Sequence, residues 1–397
     1  MAQPESHTPL FLDNPESTAR FLREISTARE LAVDTEGASF HRFVDRIYLL
    51  QVSTRERSAI IDPLAVPQLD GLGALMERED VEVVFHDADY DLRLLRQDYG
   101  WEVVRIFDTR VAAQLLGIRA FGLAALLERY FGVKLEKKYQ RADWSLRPLT
   151  QGMLDYAAQD TMHLLDLRDR MRADLDRAGR LAWAEEEFAI AQNVRWEPDE
   201  AGLAFLRIKG TRDLNRRELA VFRELVHWRD GVAAELDRAT FRVVGNEPLL
   251  ELARRRPTAR RDLSQVKGMP RGIVEQRGGE IIEAIARGQA VPEAELPRFP
   301  KARRWERDPD FDVRVSALKT ARDAVAQKLD MDPGVVCAKD RIEAVARRNP
   351  LTQAELEEVT ELRRWQCAVL GAEFLRALEP HRKPEEASPY KEETTGA

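Results

Sequence analysis

Two stretches of this chain repeat each other. Arg229-Asp230, Leu236-Asp237, Ala253-Arg254-Arg255 and Pro257 recur as Arg322-Asp323, Leu329-Asp330, Ala346-Arg347-Arg348 and Pro350, each pair 93 positions apart without a gap. A gapless repeat of this kind is two copies of one supersecondary unit. Apolar residues recur at helical spacing through 211–290 and 310–380, and neither stretch carries a strand pattern. The C-terminal half is therefore committed to two small all-α modules. The 397-residue chain then has room for one further domain ahead of them.

Composition narrows the setting. The content of 44% hydrophobic and 33% charged residues is that of a soluble globular protein. No run approaches the ~20 apolar residues of a membrane span, and M-A-Q-P-E-S-H-T-P has no basic start leading into an apolar core. Cys337 and Cys367 are the only cysteines, which points to a reducing compartment and excludes a cysteine-based zinc site. A cytoplasmic location is expected. Charge is unevenly spread: residues 1–200 carry 25 Lys+Arg against 36 Asp+Glu, and 201–300 carry 19 against 14. An acidic front and a basic middle suit a front that holds metal ions and a middle that holds a polyanion.

The front reads as α/β. Asn14 or Ser17 can cap a short helix to about Glu24. Residues 30–37, E-L-A-V-D-T-E-G, are an apolar run that ends in acid, the pattern of a buried strand reaching a sheet end. Strands over 47–53 and 58–61 follow, giving three in succession as a meander. A helix over 69–78, a strand over 81–85, a helix over 86–97 and a strand over 103–107 come next. Helices over 109–116 and 121–131 and a long one over 151–176 complete a domain with a mixed sheet. The expected limits are a disordered start at 1–9, the α/β domain at 10–180, a connector at 181–210 and the first helical module at 211–291. A proline-rich linker at 292–309, the second module at 310–380 and a disordered tail at 381–397 complete the chain.

The acids form a pattern. Side chains alternate on a strand, so Asp34 and Glu36 share one face and Thr35 takes the other. Two carboxylates at one strand end repel unless something positive lies between them, and hard oxygen ligands suit Mg²⁺ or Mn²⁺. Strand 81–85 ends in H-D-A-D-Y-D-L, which offers His86, Asp87, Asp89 and Asp91 near the same edge. Asp87 reads as a first-turn acid favoured by the helix dipole. On the long helix Tyr156 and Asp160 are four residues apart and share a face, whereas Asp155 lies about 100° round. Asp108 reads as a helix cap.

D34-T-E36, H86-x-x-x-x-D91 and Y156-x-x-x-D160 together resemble the three exonuclease motifs of the DEDD superfamily, in its tyrosine branch. R141-A-D-W-S-L-R-P-L149 is similar to the segment that the ribonuclease D family carries before its third motif, and the repeated module resembles the HRDC domain. The order nuclease–HRDC–HRDC resembles the bacterial ribonuclease D family over about residues 10–380. The resemblance implies a ribonuclease-H-like fold and two divalent cations, Mg²⁺ or Mn²⁺. It implies that Asp34 bridges both ions, that Glu36 and Asp160 hold the one carrying the attacking water, and that Asp91 serves the other. Tyr156 would orient that water, since a phenol titrates near pH 10. The implied reaction is stepwise hydrolysis from an RNA 3′ end to nucleoside 5′-monophosphates, with tRNA precursors and other small stable RNAs as substrates.

The family often carries an aromatic residue directly after the D-x-E motif. Gly37 stands there, with Phe40 as the candidate replacement. His86, Gln51, Trp144 and Arg147 are candidate substrate neighbours in the nuclease. Arg254–Arg256, Arg260, Arg261, Lys267 and Arg271 are candidate phosphate contacts in the first module. No obligate protein partner and no membrane is expected. Two alternatives remain open on the residues alone. One is a DNA 3′→5′ exonuclease with the same carboxylates, and the other is an inactive nucleic-acid-binding scaffold.

Overall fold

The structure, a computed structural model, describes residues 8–135, 138–194, 202–300 and 309–381. The chain forms two compact units. The first holds the sheet and the first helical module; the second holds the second helical module with residues 110–121 and 171–187.

The sheet has six strands: β1 (Leu10–Leu12), β2 (Glu30–Glu36), β3 (Leu49–Ser53), β4 (Ser58–Ile61), β5 (Glu82–Phe85) and β6 (Ile106–Asp108), in the order β1-β4-β3-β2-β5-β6. β2, β3 and β4 form the expected antiparallel meander, while β2, β5 and β6 run parallel, as do β1 and β4. The sheet is mixed, as expected. Leu31, Ala32 and Val33 are fully buried at its centre, and every residue of β3 and β5 is buried. Strands covered on both faces read as continuous apolar runs, which is why the sequence exposed them. β1 was not anticipated. Three residues are too few to show a period, and only pairing with β4 makes Leu10–Leu12 a strand.

Helices α1 (Pro15–Ile25), α2 (Asp70–Met76), α3 (Asp89–Tyr99), α4 (Thr109–Leu115), α5 (Leu123–Phe131), α6 (Gln151–Met162), α7 (Leu164–Arg177) and α8 (Leu181–Ala191) follow in chain order. The Asn14 side chain accepts from Ser17 N at 2.9 Å and so caps α1, worth about 1 kcal/mol. The long helix expected over 151–176 is two helices. His163 breaks it at φ −110° and ψ 0°. A one-residue break leaves the apolar spacing almost in phase, since Leu164, Leu165 and Leu167 resume at once, so periodicity did not reveal it. The expected connector 181–210 begins with helix α8, and its residues 195–201 lie outside the described residues. So do most of the expected disordered start, residues 301–308 of the expected linker and 382–397 of the expected tail.

The first module contains α9 (Arg216–Glu235), α10 (Thr240–Val243), α11 (Asn246–Arg255), α12 (Arg260–Leu263) and α13 (Arg271–Ala290). Asn215 and Glu218 form a reciprocal capping box on α9. α9 packs on α13 so closely that a Cβ on Gly288 would lie 2.4 Å from Val221 Cα. The second module contains α14 (Phe311–Leu329), α15 (Pro333–Val336), α16 (Lys339–Arg348), α17 (Gln353–Glu357) and α18 (Arg364–Leu378). The starts of α10, α11, α12 and α13 each recur 93 positions later. So do two left-handed residues, Asp237 with Asp330 and Arg256 with Asn349. The repeat in sequence is a repeat in backbone.

Candidate active site

Because β2, β5 and β6 are parallel, their carboxyl ends gather at one edge of the sheet. β2 reaches that edge with Asp34, Thr35 and Glu36. Across β2, β3 and β4 lies α6. Ala157 and Ala158 are buried on its inner face, so the helix approaches closely and brings Asp160 and Tyr156 with it. Buried hydroxyls of Ser53 and Thr161, 2.8 Å apart, pin the helix to β3. One carboxylate oxygen from each of Asp34, Glu36 and Asp160 lies within 4.8 Å of the others. Asp91, in the first turn of α3, is 4% exposed and accepts from Thr35 Oγ1 at 2.6 Å. Asp155 is exposed and accepts from Gln151. The strand pleat and the helix period thus bring together the acids expected to meet.

Electrostatics marks the cluster as incomplete. Burial, then the Asp160 charge, pushes the Asp34 carboxyl well above the usual carboxylate range. Burial and the charges of Asp34, Asp160 and Asp91 do the same to Glu36. Asp91 rises through burial and Asp34, against the Thr35 hydrogen bond, and Asp160 is pushed up to about 7 by burial and Asp91. Among the described residues no lysine or arginine pairs with any of the four. Hard carboxylate oxygens this close, without a cation of their own, fit a divalent metal ion. Burial and the nearby carboxylates also push the Tyr156 phenol far above its ordinary value, so it stays protonated.

The turn before α3 is built differently from expectation. The helix starts at Asp89, and Asp87 lies ahead of it in the left-handed region at φ 70°. Asp108 holds this turn: its carboxylate accepts backbone N–H from Asp87 at 3.1 Å and Ala88 at 2.9 Å. The cap thus acts on a turn some twenty residues upstream. Thr109 Oγ1 donates to Phe85 O and lies 2.9 Å from His86 Nδ1, so the imidazole donates through Nδ1 and is oriented by protein.

Other candidate substrate neighbours divide sharply. All five N–H groups of Arg147 are used, on both oxygens of Asp62 and the carbonyls of Tyr48, Trp144 and Leu146. It is a staple between segments and has no donor left for a phosphate. Gln51 pairs with Asp34 across the β2–β3 ladder, so the two side chains share one face of the sheet, and it is fully buried. Trp144 is also buried and packs on Tyr156, ring centroids 6.1 Å apart. Phe40 is exposed and lines a cavity of about 260 Å³ together with Glu36, Gly37, Tyr90 and Arg141. Lys267 precedes α13 and Arg271 opens it; both are exposed.

Tyr90 of α3 was not among the expected site residues. Its hydroxyl donates to Asp45 at 2.7 Å and sits over Gly37, where a Cβ would come within 2.0 Å of it. The missing side chain after D-x-E is therefore the space that Tyr90 fills. An unexpected glycine beside a motif is the signal that could have prompted a search for such a partner.

With the geometry described, the comparisons with known proteins decide the family. The 3′-5′ exonuclease family matches residues 10–176, and the HRDC domain family matches 218–285 and 312–378. Ribonuclease D of Granulibacter bethesdensis is 30% identical, covering 93% of this chain and 92% of that protein. Ribonuclease D of Pseudomonas paraeruginosa is 32% identical, covering 91% and 96%. The chain belongs to the ribonuclease D family. As a member of that family it is a hydrolase, a 3′→5′ exoribonuclease followed by two HRDC domains. A crystal structure of a Bifidobacterium adolescentis protein matches it with a TM-score of 0.81 at 26% identity, covering 96% of this chain and 99% of that one. The exonuclease family uses divalent metal ions, which the acidic cluster suits. No helix among the described residues is long and apolar enough to cross a membrane.

Proposed function

We propose that this member of the ribonuclease D family acts in the cytoplasm, trims 3′ extensions from tRNA precursors and other small stable RNAs, and works with two divalent cations, Mg²⁺ or Mn²⁺. Asp34, Glu36, Asp91 and Asp160 are the proposed ligands and, with Tyr156, the catalytic residues. The observation that carries this reading is the set of mutually repelling, buried or half-buried acids with no basic partner among the described residues. When bound, such cations stabilise the entering and leaving oxygens of an in-line displacement at phosphorus. The protein's own part is to gather four carboxylates in one place, where bound cations would favour their ionised form, and to orient the nucleophile. Tyr156 serves that second purpose as a hydrogen-bond donor, since its raised pKa excludes it as a base at neutral pH. The cavity beside Glu36 would receive the terminal nucleotide, with Phe40 and Tyr90 as its aromatic walls and Arg141 at its rim.

The arginine-rich end of α11, with Arg260, Arg261, Lys267 and Arg271, would hold the folded part of the RNA through phosphate contacts that read no sequence. The proposed domain limits are 10–180, 211–291 and 310–380; the family matches fall inside them. The two buried free thiols agree with a reducing compartment.

The test is a 3′-extended tRNA precursor against a matched single-stranded DNA, each incubated with Mg²⁺, Mn²⁺ or EDTA, and with Asp34→Asn. Stepwise, metal-dependent shortening of the RNA that stops at the mature end and needs Asp34 is expected. Preferential digestion of DNA, or shortening that survives EDTA, would overturn the reading.

A further inference from the structure

The first helical module does more than flank the nuclease. Residues 40–43, just past the D-x-E strand, are clasped by it within the first unit. Arg242 donates to Phe40 O and reaches His41 Nδ1 at 3.2 Å. Ala239 N donates to His41 O at 3.2 Å. Arg42 pairs with Asp237 at 3.0 Å, and Phe43 packs against the module's apolar core. This clasp sets Phe241 beside Phe40, ring centroids 6.3 Å apart and planes at 76°. Both rings are open to solvent, 49% exposed at Phe40 and 53% at Phe241.

We propose that Phe241, with Phe40, forms a stacking platform for the unpaired RNA nucleotides 5′ of the terminal dinucleotide, so that the first HRDC domain completes the substrate cleft. This rests on the exoribonuclease reading of the adjoining acids. The cavity that contains Glu36 and Phe40 shares His41 with a second cavity of about 640 Å³, lined by Arg42, Arg238 and Arg242 among others. A strand leaving the acids through the first cavity therefore meets Phe241 and arginines at once. The two acids of the second cavity are already engaged, Asp237 by Arg42 and Asp143 by Ser145. Arg141 stands over the Phe40 ring at 5.6 Å. Exposed rings among cations are what bind single-stranded nucleic acid without reading its sequence, because every base offers a π-face.

The repeat gives an internal control. Phe241 and Arg242 correspond, 93 positions on, to Gly334 and Val335, and the second copy folds with the same helices. The module's fold thus needs no ring at this place. Bases in a duplex cannot stack on the platform, so it would select unpaired tails and lose its grip as trimming reaches the duplex.

The full chain with Phe241→Ala, and with Phe241→Tyr, tests this on a dinucleotide and on a longer single-stranded oligoribonucleotide. Phe241→Ala should raise KM for the longer oligonucleotide about tenfold more than for the dinucleotide, the loss of one stacked base. Phe241→Tyr should restore it, and both variants should melt like the parent. Equal KM on the longer substrate, or an equal rise on both substrates, overturns the proposal. A parallel titration of a fluorescent oligoribonucleotide onto Asp34→Asn, with and without Phe241→Ala, separates the two readings. If the parent shortens no RNA with any metal, the nuclease reading fails. The affinity difference in the titration still decides the platform.

Discussion

The two ends of strand β2 handle the same problem in opposite ways. At its start Glu30 lies among acids, beside Glu82 of β5 and Asp166 and Asp169 of α7, and three arginines enter the group, Arg105 reaching Glu82 at 3.7 Å. Arg55 pairs with Glu30, Asp166 and Asp169, and buried Arg168 pairs with Glu30 and Glu82. Burial alone would raise the Glu30 carboxyl, but the hydrogen bonds from Arg168 and Arg55 outweigh it and hold it below its ordinary value. At the other end Asp34 and Glu36 meet Asp91 and Asp160 with no such cation among the described residues, and all four rise. Acids that serve the fold are given a counter-charge by the chain. Acids left waiting for one mark where a counter-charge from outside belongs.

Four experiments sharpen or break that contrast. Asp34→Asn should lower exonuclease activity at least ~10³-fold, since the lost ligand removes several kcal/mol of transition-state stabilisation. It should also melt no lower than the parent in EDTA, because it removes one of the repelling charges. A lower melting temperature there would mean that Asp34 holds the fold. At the other end Arg168→Ala should take from Glu82 its buried guanidinium, leaving Arg105 at 3.7 Å, and cost ~3 kcal/mol in urea unfolding. The folded fraction should keep its activity per molecule, and a stable but inactive variant would remove the distinction between the two ends.

Thr35→Val takes the buried donor from Asp91 and should lower activity ~10–100-fold with little change in stability. Equal activity would mean that Asp91 needs no orientation. The smallest effect is on pH dependence. Carboxyls raised in the folded state favour folding while protonated, and that contribution is lost as pH rises through the folded value, about 7 for Asp160. Mg²⁺ or Mn²⁺ should therefore raise the melting temperature by more at pH 8 than at pH 5.5. Glu30, lowered, contributes stability above its unfolded value and loses it as pH falls through its folded one. A metal-induced shift that shrinks as pH rises would contradict the assignment of the open end.

Much of this was legible before any coordinates. The gapless repeat specified two helical copies, and the copies agree down to the left-handed residues Asp237 and Asp330. The strand period placed Asp34 and Glu36 on one face, and the helix period put Tyr156 with Asp160. These features are local, fixed by backbone geometry within a few residues, so a single chain displays them.

What the sequence could not display were the meetings of distant side chains. Arg147 was a candidate substrate contact until Asp62, Tyr48 and its own neighbours took every donor it has. Asp108 holds a turn ahead of a different helix, Tyr90 fills the space left by Gly37, and Phe241 reaches Phe40 from another domain. Each depends on how finished elements dock, which shape and excluded volume decide after the periodicities have been satisfied. The sequence by itself determined which acids share a face and how often the helical unit occurs. The tertiary structure alone decided which of those acids received a counter-charge and which side chains remained open to a substrate.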